Sequence, residues 1–218
     1  MVDVAQADVV AVLTRAPSAG GKSRLFRALG RPPDAALSRA LLLDTLDGAR
    51  VAGAALVIAV APGEACGEVA ALVPDAVVVP QIEGTLGARM RGVMAALFEG
   101  GARRVALIGS DLPEIAGQTV ATALALLGDD PDAIVLGPAS DGGYYLIAAS
   151  RVPPVFDGIE WGSARVFAQT REAAARYGLH LRTVEASGDV DSLEDLLRLR
   201  HSRRAVRTAG WIAREVAE

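Results

Sequence analysis

The stretch Val105-Ala106-Leu107-Ile108-Gly109-Ser110-Asp111-Leu112-Pro113 decides the fold of this chain. Its aliphatic opening, Val105 to Ile108, reads as a strand buried on both faces, the pattern of a parallel sheet. Gly109 and Pro113 mark where the strand gives way to a loop. Asp111 therefore stands just beyond a strand's carboxyl end, the edge at which open α/β sheets bind ligands. A carboxylate at that edge is placed to hold Mg²⁺ carrying a nucleotide's phosphates; the competing reading is an aspartate that caps the next helix.

Similar apolar runs recur at Val9 to Leu13, Ala55 to Val60, Ala76 to Val79 and Ala133 to Leu136. Apolar residues three and four apart give helical patterns over Ala35 to Val51, Leu86 to Phe98 and Thr119 to Leu127. Alternating strands and helices predict parallel strands joined by crossovers, a doubly wound α/β sheet. Beyond Asp141 the order loosens into a Gly-Gly turn, a strand over Tyr144 to Ala148, a Pro-Pro loop, a helix over Ser163 to Tyr177 and a strand over Leu181 to Val184. An antiparallel strand added to a mostly parallel sheet accounts for this. No repeat or composition shift marks a linker, so residues 1–218 are expected to form a single domain, with C-terminal helices at about 193–216 that part near Ser202.

Aromatic residues make up only 4% of the chain, so the core is expected to be built from Ala, Val and Leu. The net charge of −4 is small, and Arg198 to Arg207 is the one locally basic stretch, a balance that does not indicate a nucleic-acid partner. Cys66 is the single cysteine, which excludes an internal disulfide, fits a reducing compartment and leaves a packing residue. No run approaches the ~18 consecutive apolar residues of a membrane helix. The start, Met1-Val2-Asp3, has neither a basic leader nor a small-residue cleavage site, and the expectation is a cytoplasmic protein. Oligomeric state leaves no signature in this sequence.

Three further segments carry chemistry. The first strand runs into Thr14-Arg15-Ala16-Pro17-Ser18-Ala19-Gly20-Gly21-Lys22-Ser23-Arg24-Leu25, where Gly20 and Gly21 let the backbone approach a ligand and Arg15, Lys22 and Arg24 can neutralise a polyphosphate. Gly21-Lys22-Ser23 imitates a P-loop but fails its spacing, because Ala16 stands where the first glycine belongs and Pro17 has no amide hydrogen to give. Near the C-terminus, Gly188-Asp189-Val190-Asp191-Ser192 precedes a helix. One of these residues can cap that helix, and in an extended stretch Asp189 and Asp191 face the same side and can share a cation with Asp111. Finally, Asp141-Gly142-Gly143-Tyr144 reads either as a plain hairpin turn or as an exposed loop that receives a small acceptor.

Taken in order, Ile108 to Pro113, Gly137 to Ile147, Trp161-Gly162-Ser163 and Asp189-Val190-Asp191 resemble the nucleotide-diphospho-sugar transferase superfamily with the GT-A fold. Within it they resemble the bacterial family named DUF2064 or glycosyltransferase-like transferase 1. The resemblance spans about Val9 to Leu197. It implies a metal-dependent transferase with a nucleotide-activated donor, a small-molecule acceptor and Mg²⁺ or Mn²⁺ as cofactor. Asp111, with Asp189 or Asp191, would bind the metal, and Lys22 and Arg24 would act on the donor phosphates. Gln81 and Gly84, in Gln81-Ile82-Glu83-Gly84-Thr85, are similar to the base-contacting stretch of sugar-phosphate nucleotidylyltransferases; the segment reads equally as a loop that opens the helix from Leu86. The chain departs from the family pattern in a phosphate loop one residue shorter, with Arg15 where lysine is common, and in lacking the acidic residues usual near Thr85 and Ala88. Two chemistries fit, nucleotidylyl transfer from an NTP and glycosyl transfer from an NDP-sugar, with a catalytically silent nucleotide-binding domain as the third reading. The compact cationic loop favours the NTP.

Overall fold

The structure is a computed structural model that describes residues 4–51 and 53–216. Seven strands form one sheet: β1 (Asp8–Arg15), β2 (Ala54–Ala61), β3 (Val77–Pro80), β4 (Arg104–Gly109), β5 (Ala133–Pro138), β6 (Tyr144–Ala149) and β7 (His180–Thr183). Their order is β3-β2-β1-β4-β6-β5-β7. Every neighbouring pair is parallel except those of β6, which runs antiparallel to both β4 and β5. The added antiparallel strand thus sits inside the sheet, where a tight hairpin from β5 inserts it beside β4.

The strands bury alternate residues on opposite faces, as a covered sheet requires. Val10 and Val12 of β1 and Ala106 and Ile108 of β4 pack beneath α2 (Ala35–Ala49), α3 (Cys66–Leu72) and α5 (Gly117–Leu127). Val9, Ala11, Val105 and Leu107 face the other way, against α4 (Leu86–Glu99) and α6 (Val166–Arg176). The helix α3 lies where no helical pattern was read: it has seven residues and buries only Val69 among them, too short a stripe for periodicity to register. Cys66 opens it, half-buried, its thiol pKa pushed up by burial.

A third apolar cluster lies off the sheet. It joins Leu25 and Phe26 of α1 (Ser23–Ala28), Leu37 and Leu41 of α2, Val190, Leu196 of α7 (Leu193–Arg198), and Trp211 and Ile212 of α8 (Val206–Glu215). Phe26 meets the Trp211 ring edge-on at 6.4 Å, and the Trp211 indole N–H donates to Asp34 at 2.8 Å. The C-terminal helices thereby hold the phosphate loop's helix and the Asp189–Asp191 loop in one packed unit.

Candidate active site

The chain leaves β1 and β4 in opposite directions, β2 and β3 extending the sheet on one side and β6, β5 and β7 on the other. Such a switch point opens a crevice beyond the strands' carboxyl ends. A cleft of about 630 Å³ lies there, of the size that takes a small ligand. Thr14, Arg15, Gly20, Gly21, Lys22 and Arg24 line it from the β1 side, Ser110 and Asp111 from β4, Asp141, Gly143 and Tyr144 from the β5–β6 hairpin, and Asp189 and Asp191 from the loop before α7.

On the β1 side, a single 3₁₀ turn, Pro17–Ala19, leads into three successive residues with positive φ: Gly20 at 70°, Gly21 at 154° and Lys22 at 52°. Glycine adopts these angles without penalty, and lysine does not. No side chain caps the N-terminus of α1, which starts at the next residue. Among the described residues neither Arg15 nor Arg24 has an ion-pair partner, and both are exposed. Lys22 is paired: its ammonium donates to Asp111 Oδ2 and, at 2.7 Å, to Asp191 Oδ1, with 15% of the side chain exposed. It is also the only lysine in the chain, against 21 arginines. That contrast is a signal that the motif reading did not use: an ammonium is a compact point charge, whereas a guanidinium spreads its charge over a planar fork.

On the opposite wall the carboxylate oxygens of Asp111, Asp189 and Asp191 lie within 4.8 Å of one another. The cap of α7 falls to Ser192 rather than to Asp189 or Asp191: its hydroxyl accepts from Asp195 N at 3.1 Å while the Asp195 carboxylate accepts from Ser192 N at 2.8 Å. This reciprocal capping box leaves both Asp189 and Asp191 available to the cleft. The helix after Asp111, α5, has Ala116 at its N-cap position and no side-chain cap, so Asp111 does not cap it. The backbone joins the two acidic loops directly, Val190 N donating to Asp111 O at 3.1 Å.

The profile of the family described as "Uncharacterized protein conserved in bacteria (DUF2064)" matches residues 43–163, more than half of the chain. The chain belongs to this family. It is 32% identical over 206 residues to a protein of Phenylobacterium zucineum (strain HLK1) named 3-phospho-D-glycerate guanylyltransferase, an alignment covering 91% of this chain and 93% of the relative. A crystal structure from Desulfovibrio desulfuricans G20, provisionally named a nucleotide-diphospho-sugar transferase, is 32% identical with a TM-score of 0.83, covering 96% of this chain and 97% of that one. A nucleotidyl transferase from Methanothermobacter, 20% identical with a TM-score of 0.61 over 93% of this chain and 99% of that one, shares the fold.

The rest of the cleft in this DUF2064 protein is mostly aromatic and apolar, with Ser23, Ser38 and Ser163 as its polar residues. Tyr144 and Trp161 meet edge-to-face at 6.3 Å and both line it, with Leu86 and Met90 of α4. Gly87 makes room for the indole, because a Cβ there would lie 2.7 Å from it. Trp161 belongs to a quoted motif, yet its position as a wall of the site went unread. The Asp-Gly-Gly segment is the β5–β6 turn, Asp141 Oδ1 accepting from Gly143 N at 2.8 Å. Asp141, Gly143 and Tyr144 reach the cleft, whereas Gly142 packs against the segment leading into α6: its φ is 87°, and a Cβ would stand 2.2 Å from Ala164 O. Gln81 and Gly84 are not brought into the cleft lining. The Gln81 amide donates instead to Thr14 O at 2.9 Å and Ala59 O at 2.7 Å, tying three strand ends together, and Gly84 O accepts from Arg89 Nε at 3.0 Å.

Electrostatics sets what this DUF2064 cleft can do. Burial pulls the Lys22 pKa down, and the charges of Asp111 and Asp191 more than reverse it, so the ammonium stays charged. Asp189 has its pKa pushed up to about 6, first by burial and then by repulsion from Asp111 and Asp191, which Lys22 partly offsets. Three carboxylates this close fit a hard divalent cation, and the ammonium already lodged against two of them shows that the pocket between them accepts positive charge.

Proposed function

We propose that this DUF2064 transferase catalyses nucleotidylyl transfer from an NTP to a small phosphorylated acceptor, with a divalent metal. The reading rests on one observation above all: the cationic loop and the acidic triad, 89 and 169 residues apart in sequence where Lys22 pairs with Asp111 and Asp191, meet across a single cleft. In this reaction a phosphate oxygen of the acceptor attacks the α-phosphorus, the bond from that phosphorus to the bridging oxygen breaks, and pyrophosphate leaves with the electron pair. Negative charge therefore accumulates on the β- and γ-phosphates. Arg15, Lys22 and Arg24 offset it, and the positive-φ backbone at Gly20 and Gly21 lets the phosphates approach closely.

Asp111, Asp189 and Asp191 would hold Mg²⁺ or Mn²⁺, which when bound supplies positive charge against the phosphates. Asp141, Gly143 and Tyr144 face the acceptor, and Gln81 supports the strand ends beneath the donor rather than touching it. Because the Phenylobacterium relative bears the name of a guanylyltransferase acting on 3-phospho-D-glycerate, GTP and that acid are the first substrate pair to try. Pyrophosphate release that requires both a phosphorylated acceptor and a divalent ion is the expected result. Glycosyl transfer is favoured by the name of the Desulfovibrio protein. Calorimetric titration of NMP, NDP and NTP with Mg²⁺ separates the two, since an NDP-sugar has no γ-phosphate to recognise. Equal affinity for NDP and NTP, with no pyrophosphate released from any NTP, would replace nucleotidylyl transfer by glycosyl transfer.

A further inference from the structure

The helix α2 is apolar along its buried face except at two adjacent residues, Asp44 and Thr45, which are 1% and 0% exposed. Buried polar groups persist where they have partners, so each partner shows what the group does. Asp44 accepts from Thr208 N and Thr208 Oγ1, both at 2.8 Å, and from Arg207 N at 3.2 Å, which fastens the first turn of α8. Thr45 turns the other way. Its hydroxyl donates to Ser110 O at 3.1 Å and accepts from Leu112 N at 3.0 Å, gripping the peptide units on both sides of Asp111.

We infer that Thr45 is the positioning residue of the acidic site: lying outside the cleft, it sets the direction in which Asp111 enters it. Two bonds from one hydroxyl, made to the residues before and after Asp111, fix the local backbone more tightly than one bond does. The effect extends across the site, because Asp111 O in turn accepts from Val190 N between Asp189 and Asp191. A threonine in a helix interior has no local reason to be there, and its helix propensity is below that of alanine or leucine. The methyl packs and the hydroxyl orients.

This inference rests on the proposed metal role of the triad for its functional arm and on geometry alone for its structural arm, and the experiment keeps the two apart. Thr45→Val retains the shape and removes both bonds; Thr45→Ser retains both bonds and removes the methyl. Amide hydrogen exchange is followed in the full chain for residues 110–112 and 189–191, with α8 as internal control, and Mn²⁺ alone is titrated by electron paramagnetic resonance. Thr45→Val is expected to speed exchange in both acidic loops at least tenfold and to weaken Mn²⁺ at least tenfold, while Thr45→Ser, even with a lower Tm, keeps both within about twofold of wild type. Wild-type exchange in Thr45→Val overturns the inference, and so does a loss of Mn²⁺ affinity in Thr45→Ser as large as in Thr45→Val. Should Thr45→Val not fold, Thr45→Ser decides alone: protected loops in a destabilised protein support the inference, and unprotected loops overturn it. Wild type that binds no Mn²⁺ overturns the metal reading of the triad, and exchange then decides Thr45.

Discussion

The two walls of the cleft are built in opposite ways. The acidic wall is held from several sides: Thr45 grips the Asp111 loop, Val190 N ties it to the Asp189–Asp191 loop, and the Ser192–Asp195 box anchors the start of α7. The cationic wall has glycines at positive φ, an uncapped helix start and two arginines without ion-pair partners among the described residues. Its one anchored charge, Lys22, is anchored to the other wall. A preorganised acid cluster facing an adjustable cation loop suits a site that must close on a flexible polyphosphate, because fixed charges need no reorganisation during reaction while loose ones adapt to the substrate.

The largest break in this contrast comes from removing charge at the rigid wall. Asp111→Asn keeps the shape and loses the charge, so pyrophosphate release is expected to fall by roughly 10²–10³, the scale for one lost electrostatic contact in a transition state. Its melting temperature should stay close to that of wild type, since Asp111 is partly exposed and its loop is held through the backbone. Unchanged metal-dependent nucleotide affinity in this variant would reduce Asp111 to a loop residue.

At the looser wall a single substitution should move two affinities in opposite directions. Lys22→Met removes a charge-assisted contact to phosphate worth about 1.5–3 kcal/mol, so NTP binding should weaken by one to two orders of magnitude. The same change leaves three carboxylates facing one another uncompensated, so Mn²⁺ without nucleotide should bind several-fold more tightly than it does to wild type. Lys22→Arg should restore NTP binding only in part, because the larger planar group must take the place of an ammonium held against two carboxylates. Tighter NTP binding in Lys22→Met, measured by calorimetry, would refute the phosphate role of this wall.

A smaller effect tests the anchoring itself. Ser192→Ala removes the cap of α7 and should cost about 1 kcal/mol of stability by denaturant titration. Asp189 and Asp191 remain joined to the Asp111 loop through Val190 N, so turnover should change far less than in Asp111→Asn. A loss of activity matching that of Asp111→Asn would mean that the capping box, rather than Thr45, sets the acid geometry.

Both walls were legible in the sequence, and what holds them in place was not. The acids could be read because an apolar run that stops at Asp111 and an Asp-x-Asp stretch each have a period and an end, and the chain's alternation places such ends on one edge of a parallel sheet. Thr45 could not be read: a threonine among the leucines of α2 looks like any core residue until its hydroxyl is seen against a loop 65 and 67 residues away. Gln81 was read from a short motif as a base contact, yet its amide is taken up by the backbone of β1 and β2, a use that depends on where three strands end rather than on local spacing. Gly142 was placed at the acceptor loop, whereas its small size serves the close approach of Ala164. Sequence period reports strands and helices well and reports poorly which distant backbone a polar side chain will meet.

The smallest expected effect concerns pH and joins the two walls. The folded protein holds Asp189 at about 6 against an ordinary 3.8, so it prefers the protonated form more than the unfolded chain does. The stability that this preference contributes is fully present below about pH 3.8 and is lost as pH rises through about 6. Asp8 and Asp195, both with lowered pKa, act in the opposite sense, gaining stability as pH rises. The Asp189 contribution is therefore read as a difference, wild type minus Asp189→Asn, in metal-free melting temperature from about pH 4 to 7. That difference should fall across the interval and flatten when Mn²⁺ is added, because the metal offsets the repulsion from Asp111 and Asp191. Lys22 lowers the Asp189 pKa, so in a Lys22→Met background the fall should move to higher pH. A flat difference in metal-free wild type would mean that the three acids are not crowded, and an unmoved midpoint in Lys22→Met would mean that the loose wall does not hold the charge of the rigid one.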